Sequence, residues 1–156
     1  MPGTRFSFRK ASETDLPGII HMLADDKLGQ TREILSNPVD ARYAAAFAAI
    51  TADPNQLLAV AVGADDGLAG CLQLSFIPGL SRTGMWRAQI ESVRISADHR
   101  GSGLGSRFIE WAVEQAKARD CGLIQLTSDK TRPDAIRFYE RLGFVASHEG
   151  LKLSLS

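Results

Sequence analysis

The chain has 156 residues, of which 44% are hydrophobic and 23% are charged, as expected for one globular domain. Its 18 basic and 18 acidic residues cancel to a formal net charge of zero, which argues against nucleic acid or an anionic membrane surface as a partner. No segment approaches the roughly 18 apolar residues of a membrane span. We therefore predict a single cytoplasmic domain over residues 1–156.

Strand-like and helix-like segments alternate in the first half of the chain. A helix is predicted to begin near Ser12, because Ser12 or Thr14 can cap free N–H groups and Pro17 is tolerated in a first turn. Residues 63–67 combine glycine with aspartate and predict a hairpin turn. The predicted elements are a strand over Phe6–Arg9, a helix following Ala11–Pro17, a loop with one helical turn over Asp25–Asp40, a helix over Ala41–Thr51, and strands over Leu57–Val62 and Leu68–Ile77.

A long strand is predicted next, over Met85–Ile95. Its apolar residues Ile90, Val93 and Ile95 are spaced three and then two positions apart, so strict alternation breaks. A β-bulge near Glu91–Ser92 explains the break, because one extra residue shifts the facing pattern of a strand.

The last third of the chain predicts two helices and three further strands. Thr131 and Asp134 resemble a capping box at the start of the second helix, and Gly143 is a natural residue to end it. The predicted elements are helices over Leu104–Arg119 and Pro133–Leu142, and strands over Leu123–Thr127, Phe144–Ser147 and Leu151–Leu155. The resulting order, β-α-α-β-β-β-α-β-α-β-β, predicts one mixed α/β domain.

A glycine-rich loop separates the long strand from the helix that starts at Leu104. Free N–H groups in a first helical turn, the helix dipole and the absence of side chains on Gly101, Gly103 and Gly105 together favour a bound phosphate. Arg100 adds a positive charge. A Walker loop would need a lysine after Gly105, and a dinucleotide fingerprint would need different glycine spacing. On this loop alone, a turn without a ligand stays an alternative.

Two motifs resemble the signatures of the GNAT superfamily of acyl-CoA transferases. Arg100-x-x-Gly103-x-Gly105 resembles its R/Q-x-x-G-x-G/A signature, and the segment from Ala135 to Phe144 resembles A-x-x-F-Y-x-x-x-G-F. The similarity extends to the strand Ile90–Ile95 and to the start of the chain. One departure is Arg132, which stands where many members of the family have an asparagine.

The resemblance implies a mixed, mostly antiparallel sheet, splayed open between two central strands, with acetyl-CoA in the gap. The pantetheine arm would pair with the strand, and the pyrophosphate would lie on the loop. The coenzyme-binding residues implied are Val93, Arg94, Ile95, Arg100, Gly101, Ser102, Gly103, Leu104, Gly105 and Ser106. A backbone N–H at or near Val93 would bond the thioester oxygen.

Acyl transfer to an amine needs a neutral amine, a stabilised oxyanion and a proton for the leaving thiolate. With the family signature, Tyr139 is the candidate acid, and a tyrosine that merely packs at a polar boundary is the alternative. Glu91 is the candidate base, acting through water, and an ordinary solvated glutamate is equally compatible with its position. The histidines and cysteines lack zinc-site spacing, so we predict no metal.

The predicted function is acetylation of a primary amine on a small molecule. Acetylation of a protein lysine or N-terminus, and non-catalytic sensing of acyl-CoA, remain alternatives. Acceptor-binding residues are expected in Asp25–Asp40 and Pro78–Met85, the segments least constrained by the core. The resemblance also allows a homodimer, and the sequence by itself identifies neither the acceptor nor the oligomeric state.

Overall fold

A computed structural model describes residues 5–26 and 28–156. The strands are β1 (Ser7–Lys10), β2 (Gln56–Val62), β3 (Leu68–Ile77), β4 (Arg87–Ile95) and β5 (Leu123–Gln125). The helices are α1 (Leu16–Ala24), α2 (Gly29–Arg32), α3 (Ala41–Ala52), α4 (Ser81–Gly84), α5 (Leu104–Ala118) and α6 (Pro133–Arg141). Short 3₁₀ turns cover Glu13–Asp15 and Ala97–His99.

The five strands form one open sheet in the order β1-β2-β3-β4-β5. Strands β1 to β4 pair antiparallel, and β5 pairs parallel to β4 after the crossover through α5. The mixed α/β class predicted from the sequence is confirmed. The predicted hairpin turn is confirmed as well, since Gly63 donates its N–H to the carbonyl of Gly67 across it.

The β-bulge predicted from the spacing of apolar residues is present in β4. Cys71 pairs with Arg94 and Gln73 pairs with Glu91, so Leu72 alone faces two residues of β4. Ser92 lies in the bulge and has a positive φ of 56°. The extra residue returns Val93 to the face that Ile90 occupies, where both pack against one hydrophobic cluster.

Helices cover the two faces of the sheet and enclose two hydrophobic clusters. On one face α5 buries Phe108 and Leu104 against Leu72 and Leu74 of β3, and the Phe108 ring stacks on Phe8 at 5.1 Å. On the other face α1 and α3 cover the β1–β3 side, with Cys71 fully buried there. The site lies at the end of the sheet that β4 and β5 form.

The two strands predicted at the end of the chain are wrong. Residues 144–156 form no strand, and Leu151, Leu153 and Leu155 are 93%, 86% and 93% exposed. These leucines recur every second residue, as in a strand, but a strand also needs hydrogen bonds to the backbone of a neighbouring strand. The edge strand β5 is only three residues long and offers little backbone for pairing.

The capping box predicted at α6 is also wrong. Thr131 donates its hydroxyl and its N–H to the carboxylate of Asp129, at 2.7 and 2.9 Å. The N-cap of α6 is Arg132, with no side-chain cap. A local turn at Asp129 therefore competes successfully for Thr131. The predicted end of α6 is confirmed, with Gly143 at a φ of 98°.

Candidate active site

The sheet opens between its two central strands. The parallel pairing of β4 with β5 runs from Arg87–Leu123 to Gln89–Gln125 and stops there, whereas β4 continues for six more residues to Ile95. Within the described residues, β4 has no paired strand on this side beyond Gln89. The opening leaves a free backbone edge over the segment where the resemblance implies the pantetheine arm.

The direction of the free backbone groups follows from the pairing of β4 with β3. Ser96 donates its N–H to the carbonyl of Ala69 on the β3 side. Because N–H and C=O groups alternate direction along a strand, those of Ile95 and Val93 point to the open side. The backbone of Arg94 points to β3, so its guanidinium is the part of Arg94 that can reach the opening; Nη1 donates to the carbonyl of Val93 at 2.9 Å.

The glycine-rich loop lies between the end of β4 and the first turn of α5. Gly101 and Gly103 have φ angles of 79° and 84°, a region that favours glycine. A Cβ at either position would meet nothing within 4 Å, so the space above the loop is open. The first-turn N–H groups of Gly105 and Ser106 have no intrahelical acceptor. This cradle fits a pyrophosphate.

Arg100 is held at the side of this loop. Its Nη2 lies 3.4 Å from Oδ2 of Asp25, and both side chains are more than half exposed. An exposed pair of this kind contributes little to stability, so Arg100 can exchange its partner at low cost. Ser102 bonds within the loop, donating its hydroxyl to the carbonyl of His99 at 2.5 Å.

Tyr139 lies on α6, where it packs against the cluster that α5 covers. Its ring meets Phe138 edge-on at 5.0 Å and Phe144 at 5.6 Å. Burial raises the pKa of its phenol, and the charges of Arg132 and Arg94 oppose that rise. The hydroxyl therefore carries its proton at neutral pH, as a proton donor must.

Glu91 lies on the opposite face of β4 and is exposed. Its Oε1 accepts a 2.7 Å hydrogen bond from Nε2 of Gln89, and Gln89 in turn accepts from Nε2 of Gln125 at 2.9 Å. The two candidate catalytic residues thus flank β4 from opposite faces, at the place where its pairing with β5 ends.

The sequence analysis did not predict that the side chain of Arg94 contacts Asp26 beside the site. Arg94 was predicted as a backbone partner, yet its guanidinium lies near Asp26, with Nε and Oδ2 3.1 Å apart. That Nε is buried and its N–H is not aligned for a hydrogen bond. The amides of Gln89 and Gln125 were missed too; a period of two along β4 places Gln89 and Glu91 on one face and could have indicated the first of them.

Two grooves elsewhere in the described part of the chain do not contain the two candidate catalytic residues. One groove of about 480 Å³ beside α1 is lined by residues that include Met22, Gln30 and Ser96. A second, of about 290 Å³, lies between Pro17 and Val39. The free edge of β4, with its adjoining glycines, is therefore a better candidate for the reaction site than either groove.

Residues 5–26 and 28–156 contain neither a candidate metal site nor a candidate membrane-spanning helix. That part of the chain contains no group of three or more histidine, cysteine, aspartate or glutamate side chains able to hold a metal ion. It also contains no helix long and apolar enough to cross a bilayer.

Comparison with known proteins identifies the family. The model of the acetyltransferase (GNAT) family matches residues 20–144. An aminoalkylphosphonate N-acetyltransferase of Salmonella typhimurium is 31% identical over 117 residues, covering 74% of this chain and 75% of that protein. A glucosamine 6-phosphate N-acetyltransferase of Trypanosoma brucei brucei is 33% identical over 89 residues, covering 56% of this chain and 58% of that protein.

Among solved structures, one described as a transcriptional regulator from Bacillus halodurans superposes with a TM-score of 0.94. It is 50% identical and covers 97% of this chain and 100% of that one. The chain belongs to the GNAT acetyltransferase family. Its class is that of the acetyl-CoA-dependent N-acetyltransferases.

Proposed function

We propose that the protein transfers the acetyl group of acetyl-CoA to the primary amine of a small molecule, by direct attack of the amine on the thioester. The free edge of β4 carries this proposal. The glycine-rich loop lies at one end of that edge, Tyr139 lies on one face and Glu91 lies on the other. The two substrates can therefore meet at one point with an acid and a base on either side.

The coenzyme would be held by backbone groups. The N–H and C=O groups of Val93 and Ile95 suit the amides of an extended pantetheine arm, as in the addition of a strand to a sheet edge. The loop N–H groups from Gly101 to Ser106 suit the pyrophosphate, and Arg100 can exchange Asp25 for a phosphate. The N–H of Val93 is the candidate donor to the thioester oxygen.

The chemistry assigns one proton transfer to each candidate residue. Glu91, through water, takes the proton that the amine loses as the C–N bond forms. Tyr139 gives its proton to the thiolate sulfur as the C–S bond breaks, and is then reprotonated from solvent. Acid and base therefore act on different atoms, which is consistent with their positions on opposite faces of β4.

The acceptor is proposed to be small because the two relatives described above are named for small molecules, an aminoalkylphosphonate and glucosamine 6-phosphate. The segments predicted to contact it, Asp25–Asp40 and Pro78–Met85, stay predictions, with Lys27 outside the described residues. Asp26 supports the first segment, because it lies against Arg94 beside the opening. A homodimer also stays a prediction.

A thiol-release assay tests the proposal. Purified protein is incubated with acetyl-CoA and a panel of small amines, lysine peptides and N-terminal peptides, and free CoA is measured. Release with small amines supports the proposal. Release of CoA with peptides alone would instead indicate a protein acetyltransferase. Binding of acetyl-CoA without release of CoA in the presence of any amine would favour a sensor.

A second candidate function comes from the Bacillus halodurans protein, described as a transcriptional regulator. Regulation through direct DNA binding would need basic surface, and the formal net charge of this chain is zero. We therefore place acetyl transfer first. A gel-shift experiment at low salt with mixed duplex DNA separates the two candidates, because a DNA-binding regulator retards the duplex whether or not acetyl-CoA is present.

A further inference from the structure

One face of the sheet carries a continuous polar surface on the side away from α5. It consists of six side chains, which we call the polar face: Gln56, Gln73, Ser75, Gln89, Glu91 and Gln125. The strand register aligns Gln56, Ser75, Gln89 and Gln125 in one row across four strands, and aligns Gln73 with Glu91 in a second row. Five of the six are partly exposed and Glu91 is exposed.

The side chains of the polar face hold one another in position. Nε2 of Gln73 and Oγ of Ser75 both donate to Oε1 of Gln56, at 2.9 and 3.0 Å. The second network is the one that runs from Gln125 through Gln89 to the carboxylate of Glu91. A surface with linked amides is more ordered than one of free side chains, because each bond removes rotamer freedom before any ligand arrives.

The polar face adjoins the proposed reaction site. The pair Gln89–Gln125 marks the point where β4 and β5 separate. Glu91, the candidate base, lies two residues further along β4. Beyond the bulge, Arg94 and its neighbour Asp26 border the same face. A solvated face is common in antiparallel sheets. Here four of the six side chains are amides, and Arg87 lies beyond Gln89 on the same face of β4, at the end away from Glu91.

The hydrogen-bonding capacity of this face indicates what it can bind. Each amide has two donor hydrogens and an oxygen with two lone pairs, and the networks use only part of that capacity. Neutral groups that both donate and accept match hydroxyl groups, which do the same. Glu91 adds the single negative charge, which suits an amine.

We infer that the polar face is the acceptor-binding surface and that the acceptor is a small hydroxylated amine, such as an amino sugar or an amino polyol. The inference rests on the proposed function, because it assigns the substrate of that same site. A purely hydrocarbon amine would leave the amides without partners and would bind more weakly.

The test measures binding directly, so it does not depend on turnover. N-acetylglucosamine and N-cyclohexylacetamide are titrated into the protein saturated with CoA, by calorimetry. Both are amides of a six-membered ring, and they differ in hydroxyl groups without differing in amine basicity. We expect N-acetylglucosamine to bind at least about tenfold more tightly, as a few hydrogen bonds would give.

Two variants locate the binding. Gln73→Met and Gln125→Met keep the length of the side chain and remove its amide, and each is expected to weaken N-acetylglucosamine by about 3–10-fold. Neither should change the Kd of acetyl-CoA or of N-cyclohexylacetamide. Gln115→Met, on α5 beyond the opposite face of the sheet, is the matched control and should change none of the three.

Three results would overturn the inference: no saturable binding of N-acetylglucosamine, equal affinity for the two amides, or equal affinity in wild type and both variants. Failure of the proposed function has a different signature. In that case CoA is not released from acetyl-CoA by any amine, whatever the calorimetry shows.

Discussion

Nε of Arg94 lies 3.1 Å from Oδ2 of Asp26, so an ion pair joins the middle of the sheet to the segment that follows α1. Asp26 also accepts from the N–H of Gly29 at the start of α2. The hydrogen bond from Gly29 is the main reason why the pKa of Asp26 is lowered, and the charge of Arg94 lowers it further. Asp26 thus fixes α2 relative to β4.

A double-mutant cycle measures this link. Asp26→Asn and Arg94→Gln, singly and together, are compared with wild type by urea unfolding. We expect a coupling free energy of about 0.5–1 kcal/mol, because the pair is partly exposed and its geometry is not that of a hydrogen bond. Additive effects of the two substitutions would show that the pair does not hold α2 in place.

Replacement of Tyr139 by phenylalanine tests the acid. The variant keeps the ring contacts with Phe138 and Phe144 and removes only the hydroxyl, so kcat should fall on the order of 10²-fold with little change in stability. The matched control is Tyr43→Phe, since Tyr43 is the other tyrosine of the chain and bonds Glu33 on α3's side of the sheet. Full turnover by the Tyr139 variant, where chemistry limits the rate, would remove the assignment.

The pH dependence of the wild type supplies a second check on Tyr139. Its pKa lies above the ordinary value of 10.0, so the protonated phenol persists as the pH rises through that value. Loss of kcat through ionisation of Tyr139 should therefore have its midpoint above pH 10. A decline centred well below pH 10 that disappears in Tyr139→Phe would contradict the raised pKa.

Glycine at position 103 is predicted to be required for binding of the coenzyme. In Gly103→Val a side chain enters the open space above the loop, and the Kd of acetyl-CoA should rise at least about tenfold. Gly84→Val is the control, because Gly84 also has a positive φ, of 74°, but lies at the end of α4, away from the glycine-rich loop. Both variants bear a similar backbone cost of about 1–2 kcal/mol, and calorimetry should find weaker binding only for the first.

Asp15 should make the fold sensitive to acid. It is buried and accepts from Arg9 at 2.7 and 3.1 Å and from the N–H of Ser12 at 2.7 Å. The bond from Arg9 is the main cause of its lowered pKa. A lowered pKa gives stability that is present above the ordinary value of 3.8 and is lost as the pH falls through the lowered one.

Asp15→Asn tests that dependence by urea unfolding at several pH values. At pH 7 the variant should be less stable than wild type by about 1–2 kcal/mol, because Arg9 is half exposed and solvent screens the pair. The difference should shrink below pH 4. A difference that is constant from pH 7 to pH 2.5 would show that the carboxylate charge is not the cause.

Several features of the fold could be predicted because they depend on near neighbours in the chain. The hairpin turn at residues 63–67, the helix after the glycine loop and the bulge beside Glu91 each follow from local spacing, and each is present. The two end strands failed for the opposite reason. The alternation of Leu151, Leu153 and Leu155 is local, but the partner edge that a strand requires is not.

The residues of the candidate site likewise fall into those that local motifs predict and those that only the fold brings together. Glu91, Tyr139 and the loop from Arg100 to Ser106 were predicted from motifs, and their roles stay predictions. The contact of Arg94 with Asp26 could not be predicted, because the two residues are far apart in sequence and meet only when α1 packs on the sheet. The polar face likewise needs the register of four strands, which no single segment contains.

The sequence by itself determined the family, through two motifs whose glycines and aromatic residues are short-range requirements of a loop and a helix. Only the tertiary structure decided which side of β4 is open, and which side chains Glu91 has for neighbours. The physical reason is that both depend on strand pairing, whose register is set by the packing of the whole sheet. The donor site is therefore visible in the chain, and the acceptor surface only in the fold.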